Sequence, residues 1–281
     1  MMSFGAMTVV NAIPCGRGAA VGLKLRTNAD LAVKGNERVV RIINDPCEDT
    51  RMAELCVKNT FKHFGIAEPD GWTLSVNSEI PVSRGLKSSS SACNAIVSSV
   101  SEWIRKEFGI GFGNEKDDAI EMIRLGVRCA REAGVTVTGA FDDACACHLG
   151  GFVVTDNGKD ELLQHRSTER YDVILLVPER KIRKPSLDKE RLYALSGRMK
   201  DILGKADDDW LSALTMNGRL IADALGIDDS ISSKALDAGA LAAGVSGTGP
   251  AVSVVVNNGK GVSFIKDLEH NGYQAIITGT R

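Results

Sequence analysis

A chain of 281 residues, 43% hydrophobic and 25% charged, holds enough apolar material for a large core in one big domain or two medium ones. Its formal net charge of −2 leaves no basic excess to neutralise a phosphate backbone, which excludes nucleic acid as the expected partner and favours small molecules. No stretch approaches the roughly 20 apolar residues of a membrane span and no secretion signal is recognisable, while seven scattered cysteines suit reduced thiols, so the expected location is the cytoplasm, away from membranes.

Thr8 to Ile13 and Ala19 to Leu25 predict two strands joined by the glycine-rich connection Pro14-Cys15-Gly16-Arg17-Gly18, and strand patterns return at Leu31 to Lys34 and Val39 to Ile43. An opening run of strands points to an α+β layout, not to strictly alternating βαβ units. Arg17 is either an exposed hairpin arginine or a cation facing a ligand. Asp49 to Phe64 predicts an amphipathic helix, with Met52, Leu55, Cys56, Asn59 and His63 at successive turns. His63, without a partner in the pattern, belongs at the surface or edge of that helix.

Trp72, Leu74 and Val76 alternate with polar residues as in a half-buried strand, and Ile96, Val100, Trp103 and Ile104 recur at helical spacing. Between them runs Pro81-Val82-Ser83-Arg84-Gly85-Leu86-Lys87-Ser88-Ser89-Ser90-Ser91-Ala92. Serines ahead of an apolar helical pattern are good helix starters, because their hydroxyls accept bonds from first-turn amides. A helix N-terminus carries roughly half a positive charge and unpaired N–H donors, which makes it a seat for an anion, phosphate above all. Gly85 permits close approach of the backbone, and the hydroxyls of Ser88 to Ser91 offer further hydrogen bonds or a magnesium ligand. The plain alternative is a serine-capped helix after a turn. The chain contains no Gly-x4-Gly-Lys-Ser/Thr phosphate loop.

Glu115 to Ala133 predicts the next helix, with Ile120, Ile123, Val127 and Ala130 on one face, Glu132 in the last turn and Gly134 as the stop. Val135 to Ala144 follows as a loop carrying Thr138 and the paired acids Asp142 and Asp143, which serve either as solvated charges or as chemistry. Cys145-Ala146-Cys147-His148 lacks a second pair at zinc-site spacing, and core thiols are the expectation there. Phe152 to Thr155 begins a strand. The polar turn Asp156-Asn157-Gly158-Lys159-Asp160 marks a domain border, dividing the chain into residues 1–157 and 158–281.

Val173 to Val177 reads as a buried strand, Asp188 to Leu203 and Asp207 to Leu225 as helices, and Val252 to Val256 as a strand. Before that last strand stands Gly244-Val245-Ser246-Gly247-Thr248-Gly249-Pro250. Its three glycines allow backbone shapes and close ligand approach closed to other residues, or make a helix-to-strand turn and no more. A helix at Gly261 to His270 and a strand at Tyr273 to Thr278 finish the pattern.

The stretch Pro-x-x-x-Gly-Leu-x-Ser-Ser-(x)-Ala resembles the ATP-binding motif of the GHMP small-molecule kinases, which include galactokinase, homoserine kinase and mevalonate kinase. Gly85-Leu86-Lys87-Ser88-Ser89-Ser90-Ser91 is most similar to the archaeal shikimate kinases of that family. The stretch around Gly247-Thr248-Gly249 resembles the third family motif, and Ala12 to Ala20 resembles the first loosely, without the lysine that many relatives carry there. The resemblance implies a two-domain α+β fold, ribosomal protein S5 domain 2-like in the N-terminal part and ferredoxin-like in the C-terminal part, with an ATP cleft between. It implies ATP and magnesium as cofactors and transfer of the γ-phosphoryl group to the 3-hydroxyl of shikimate. Homoserine or a mevalonate-type alcohol are alternative acceptors, and a nucleotide binder without turnover is an alternative of another class. Carried over by residue, Pro81, Arg84, Gly85, Leu86, Lys87, Ser88, Ser89, Ser90 and Ser91, together with Gly247, Thr248 and Gly249, surround the nucleotide. Arg17 and Thr138 meet the acceptor, and Glu132 with Ser89 or Ser91 holds magnesium. Asp142 acts on the hydroxyl proton, Asp143 remaining open for the same role.

Overall fold

The structure is a computed structural model and describes residues 1–81, 86–113, 115–136, 138–178 and 188–281. β1 (Met2–Val10) turns through the glycine-rich connection into β2 (Arg17–Val33), a 17-residue strand on which the first sheet is built. The expected separate strand at Leu31 to Lys34 is the far end of β2, because the alternation of exposed Lys24, Arg26, Asn28 and Asp30 with buried neighbours continues without a break. β3 (Arg38–Ile42) runs parallel to β4 (Trp72–Ser78), and β4 pairs antiparallel with the second half of β2. β5 (Phe152–Asp156) pairs antiparallel with the first residues of β2, and β6 (Glu161–Arg166) extends the sheet beyond it. β6 follows the expected border at 157/158 and still belongs to this sheet.

Four helices cover the sheet: α1 (Arg51–His63), α2 (Ser88–Phe108), α3 (Lys116–Glu132) and α4 (Phe141–Leu149). Their core gathers Phe61, Trp72, Leu74, Ile96, Ile104, Ile123 and Phe141, all buried. Truncating one such large side chain to alanine costs about 3–5 kcal/mol. α4 replaces the loop expected around Asp142. It lies on β2 at Gly22, where a β-carbon would stand 2.7 Å from Gly150 Cα and 2.8 Å from Ala146 O, so only glycine lets the helix approach.

The second sheet is β7 (Tyr171–Pro178), β8 (Ala242–Val245), β9 (Val252–Asn257) and β10 (Tyr273–Gly279) in the order β10-β7-β9-β8, antiparallel throughout. Its helices are α5 (Lys189–Ala194), α6 (Ser196–Lys205), α7 (Trp210–Leu225), α8 (Ser230–Asp237) and α9 (Gly261–Asp267). Strand, helix, two strands, helix and strand in this sheet order form the ferredoxin-like arrangement. The helix expected at Asp188 to Leu203 is divided into α5 and α6 at Leu195. Asp188 and Asp209 cap α5 and α7, accepting from the backbone amides of Arg191 and Ser212.

The two halves share a core. Met7, Val9 and Val10 of β1 and Leu23 of β2 pack in one cluster with Val173, Leu175, Leu214 and Val254. Beside it the Asn11 amide donates to Asn217 Oδ1 and Asn11 Nδ2 donates to Gly247 O, both at 2.9 Å, which fixes the end of β1 against the loop after β8. Among the described residues no helix is long and apolar enough to cross a membrane.

Candidate active site

Lys87 is the N-cap of α2. Its backbone is left-handed (φ 67°, ψ 27°), and no side chain caps the helix. This corrects the expectation of a serine cap: Ser88 to Ser91 form the first turn itself, the Ser91 amide donates to Lys87 O (3.0 Å), and the amides of Ser88, Ser89 and Ser90 ahead of it stand where a helix has no carbonyl of its own to offer and an anion can bind. Ser88, Ser89 and Ser90 line a cleft of ≈ 490 Å³. Ser91 turns the other way, fully buried, with a hydroxyl that has no hydrogen-bond partner. Leu86 is buried in the core, and Pro81 is half-buried and is not among the described residues that line the cleft. Arg84 and Gly85 lie outside the described residues.

A second helix starts at the same cleft. Ala140, the N-cap of α4, is also left-handed (φ 51°, ψ 47°), and Asp142 and Asp143 occupy the first turn, both buried and both lining the cleft. Each acid has its own partner. Asn157 Nδ2 donates to Asp142 Oδ1 at 2.8 Å while the Asp142 amide donates to Asn157 Oδ1 at 3.2 Å, a reciprocal pair that fixes the carboxylate plane. Asp142 Oδ2 faces Gly18, where any β-carbon would collide with it. Asp143 Oδ2 lies 3.0 Å from Lys87 Nζ. Burial pushes the Asp143 carboxyl up to about 7; Lys87 opposes the rise and Asp142 adds to it.

The remaining walls are Gly247 and Thr248 from the loop after β8, Thr8 of β1 and Asn11 just past its end, and Thr136 and Thr138 ahead of α4. Gly249 turns away, its α-carbon side packed toward Ile227 and Val245. Two more expected residues, besides Pro81, Leu86, Ser91 and Gly249, are not brought here. Arg17 pairs with Asp156 (Nε to Oδ2 3.2 Å) and borders a separate hollow with Cys15 and Lys200, because β2 points its first side chain away from the cleft. Glu132 is exposed at the end of α3 and accepts from Asn59 of α1 (2.8 Å), and it is not among the described residues that line the cleft with the acids it precedes in sequence. Cys145 and Cys147 are buried in α4, and among the described residues no group of three His, Cys, Asp or Glu side chains is arranged to hold a metal.

Thr8, Asn11 and Asn157 escaped the sequence reading. Asn157 was legible only as turn chemistry, since the pairing of β5 with β2 is what carries it to Asp142. Next to the cleft, sharing Ser88 and Ser89 at its mouth, is a smaller apolar hollow of ≈ 110 Å³ walled by Ile42, Met52, Val76, Ala92 and Ile96.

Residues 51–151 match the GHMP kinases N terminal domain. The chain is 41% identical over 265 residues to a shikimate kinase of Methanothrix thermoacetophila, covering 94% of this chain and 87% of that one. It is 36% identical to a shikimate kinase of Methanothermobacter thermautotrophicus (98% and 92% covered) and 33% identical to one of Pyrococcus furiosus (98% and 97%). Among solved structures, Methanococcus jannaschii mevalonate kinase superposes with a TM-score of 0.76 at 18% identity, covering 100% of this chain and 98% of that one. Lactococcus lactis galactokinase complexed with galactose superposes with 0.72 at 14% identity, covering 99% and 92%.

Proposed function

We propose that this cleft moves the γ-phosphoryl group of ATP to the 3-hydroxyl of shikimate, for the chain belongs to the GHMP kinases and, among them, to the shikimate kinases. It is an ATP-dependent enzyme acting on an alcohol group. Its product, 3-phosphoshikimate, leads toward chorismate and the aromatic amino acids, and the place of such a step is the cytoplasm.

The observation that carries this reading is the meeting of two uncapped or polar helix starts at one cleft, α2 with its serine turn and α4 with Asp142. Phosphoryl transfer asks the protein for alignment and charge neutralisation more than for covalent chemistry. The free amides and hydroxyls of Ser88, Ser89 and Ser90 would hold the outer phosphates, and the apolar hollow beyond them would take the adenine. Asp142, its Oδ1 fixed by Asn157, presents Oδ2 to the acceptor hydroxyl, orients it and takes its proton. Thr8, Asn11 and Thr138 supply the polar contacts that a ligand with three hydroxyls needs.

Magnesium fits a donor set of this kind, since the ion commonly takes one or two protein oxygens and completes its shell with phosphate and water. The Ser89 hydroxyl at the cleft would be the protein ligand, Ser91 being turned inward and Glu132 lying elsewhere. When bound, the ion would neutralise charge on the phosphates.

Incubation with magnesium-ATP and shikimate, homoserine or mevalonate tests the reading. Shikimate-dependent release of ADP, with phosphorus NMR placing the new ester at the 3-position, is expected, and Asp142→Asn should lower kcat by about 10²–10⁴-fold. ADP release that ignores shikimate and follows another acceptor would replace the substrate.

A further inference from the structure

Among the described residues three that are not glycine have a left-handed backbone, and two of them, Lys87 and Ala140, are the N-caps of the helices that open onto the cleft. Glycine would adopt this conformation freely, and a side chain there is strained unless its surroundings hold it. What holds Lys87 is Asp143. The two side chains, 10% and 9% exposed, meet at 3.0 Å, and Asp143 Oδ1 is left with no hydrogen-bond partner. A buried ion pair is a weak source of stability, because desolvation offsets most of the attraction. Strain plus desolvation at this spot therefore points away from a purely structural role. Lys87 is also the one lysine or arginine among the described residues that line the cleft, and its ammonium is already committed to a carboxylate.

We propose that Lys87 is a positioning residue: by taking Asp143 as counter-ion it ties the first turn of α4 to the start of α2, and of the two adjacent acids it leaves Asp142 as the carboxylate without a cation, free to face the acceptor. The donor half and the acceptor half of the cleft meet at this contact between helix starts, next to the bond that Asn94 Nδ2 of α2 donates to Ala144 O of α4 (2.9 Å). Consecutive acids on α4 thereby receive different duties, Asp143 toward Lys87 and Asp142 toward Asn157 and the substrate. The inference rests on the kinase reading above and deepens it.

The test is a double-mutant cycle on Lys87→Met and Asp143→Asn in the full chain, assayed with magnesium-ATP and shikimate. Each single change is expected to lower kcat by about tenfold or more with KM for ATP within about threefold, the double to fall no further than the weaker single, and Lys87→Arg to recover most of the loss. Losses that multiply in the double, a rise in KM for ATP with kcat kept, or an unchanged kcat in Lys87→Met would each overturn the proposal. Absence of shikimate turnover in the parental chain would instead remove the function proposed above. Amide hydrogen exchange reads the tether without any acceptor: Ala144 to Cys147 should exchange about fivefold faster in Lys87→Met while α9 is unchanged, and equal exchange in both chains overturns it.

Discussion

A β-carbon on Gly18 would collide with Asp142 Oδ2, and that same β-carbon would lie 2.9 Å from Ala12 Cβ. The backbone of Gly18 is not left-handed, so glycine is required here for space alone. Gly18→Ala should push the carboxylate off its Asn157 bond and lower kcat by about 10²-fold, since small misplacements of an aligned group are that costly. Circular dichroism should still report a folded chain, and an active Gly18→Ala enzyme would remove Oδ2 from the proposed role. Two other residues set opposing pH dependences. Asp143, pushed up to about 7 from the ordinary 3.8, keeps its proton in the folded chain after the unfolded chain has lost it, so its contribution to stability is full below 3.8 and is lost as pH rises toward 7. His148, held down to about 4 by burial and by Arg281, stays neutral when the unfolded chain is protonated, so its contribution is full above 6.5 and is lost as pH falls to 4. Each slope is at most about 1.4 kcal/mol per pH unit, and between 4 and 6.5 they oppose each other. Denaturant unfolding across that window should therefore show stability rising with pH in Asp143→Asn and falling with pH in His148→Gln. Parallel profiles in the two variants would contradict both assignments.

At the scale of elements, α7 lies against β8 through two glycines. A β-carbon on Gly218 would stand 2.5 Å from Gly244 Cα and 2.7 Å from the Val245 amide nitrogen, with backbone on both sides and nothing flexible to yield. Gly218→Ala should cost about 2–4 kcal/mol by forcing the helix off the strand, and a denaturant midpoint equal to the parental one would contradict the packing. The same elements show what can be read before any coordinates exist. Helices with one apolar face, such as α1 and α3, are legible because one side meets water and the period survives. α4 is not: Phe141 to Cys147 are all buried, so no amphipathic period marks the helix, and Gly-Ala-Phe-Asp-Asp resembles a loop. The serine turn of α2 was legible as an anion seat, yet its cap is a lysine whose backbone shape no propensity predicts. Glu132 was placed by the resemblance, which implies a glutamate upstream of the acids, and the direction of its side chain on α3, toward Asn59, is invisible in such a match.

For the whole molecule, the motif order conveyed a kinase, and the joint between the halves had to be seen. Arg281 follows β10 of the second sheet but belongs spatially to the first. Its guanidinium lies 3.8 Å from the Phe4 ring centroid, its Nη1 donates to His148 O, and its backbone exchanges bonds with Gly22 and Gly151. Together with the core that runs from Met7 to Val254, this makes the halves one cooperative unit. Arg281→Ala should lower stability by about 1–2 kcal/mol while calorimetry still shows a single transition; two resolved transitions would mean that the halves melt apart.

β2 also dictates when the molecule can be finished. Its first residue pairs with Asp156, 139 positions downstream, while its other end is already met by β4. A ribosome adding about 5–20 residues per second leaves that edge waiting roughly 6–25 seconds after β2 has emerged. For that interval the growing chain carries an open strand margin that invites other chains. Newly made protein is thus exposed to misassembly before it has a catalytic cleft, and nascent-chain chaperones have their reason to attend it there.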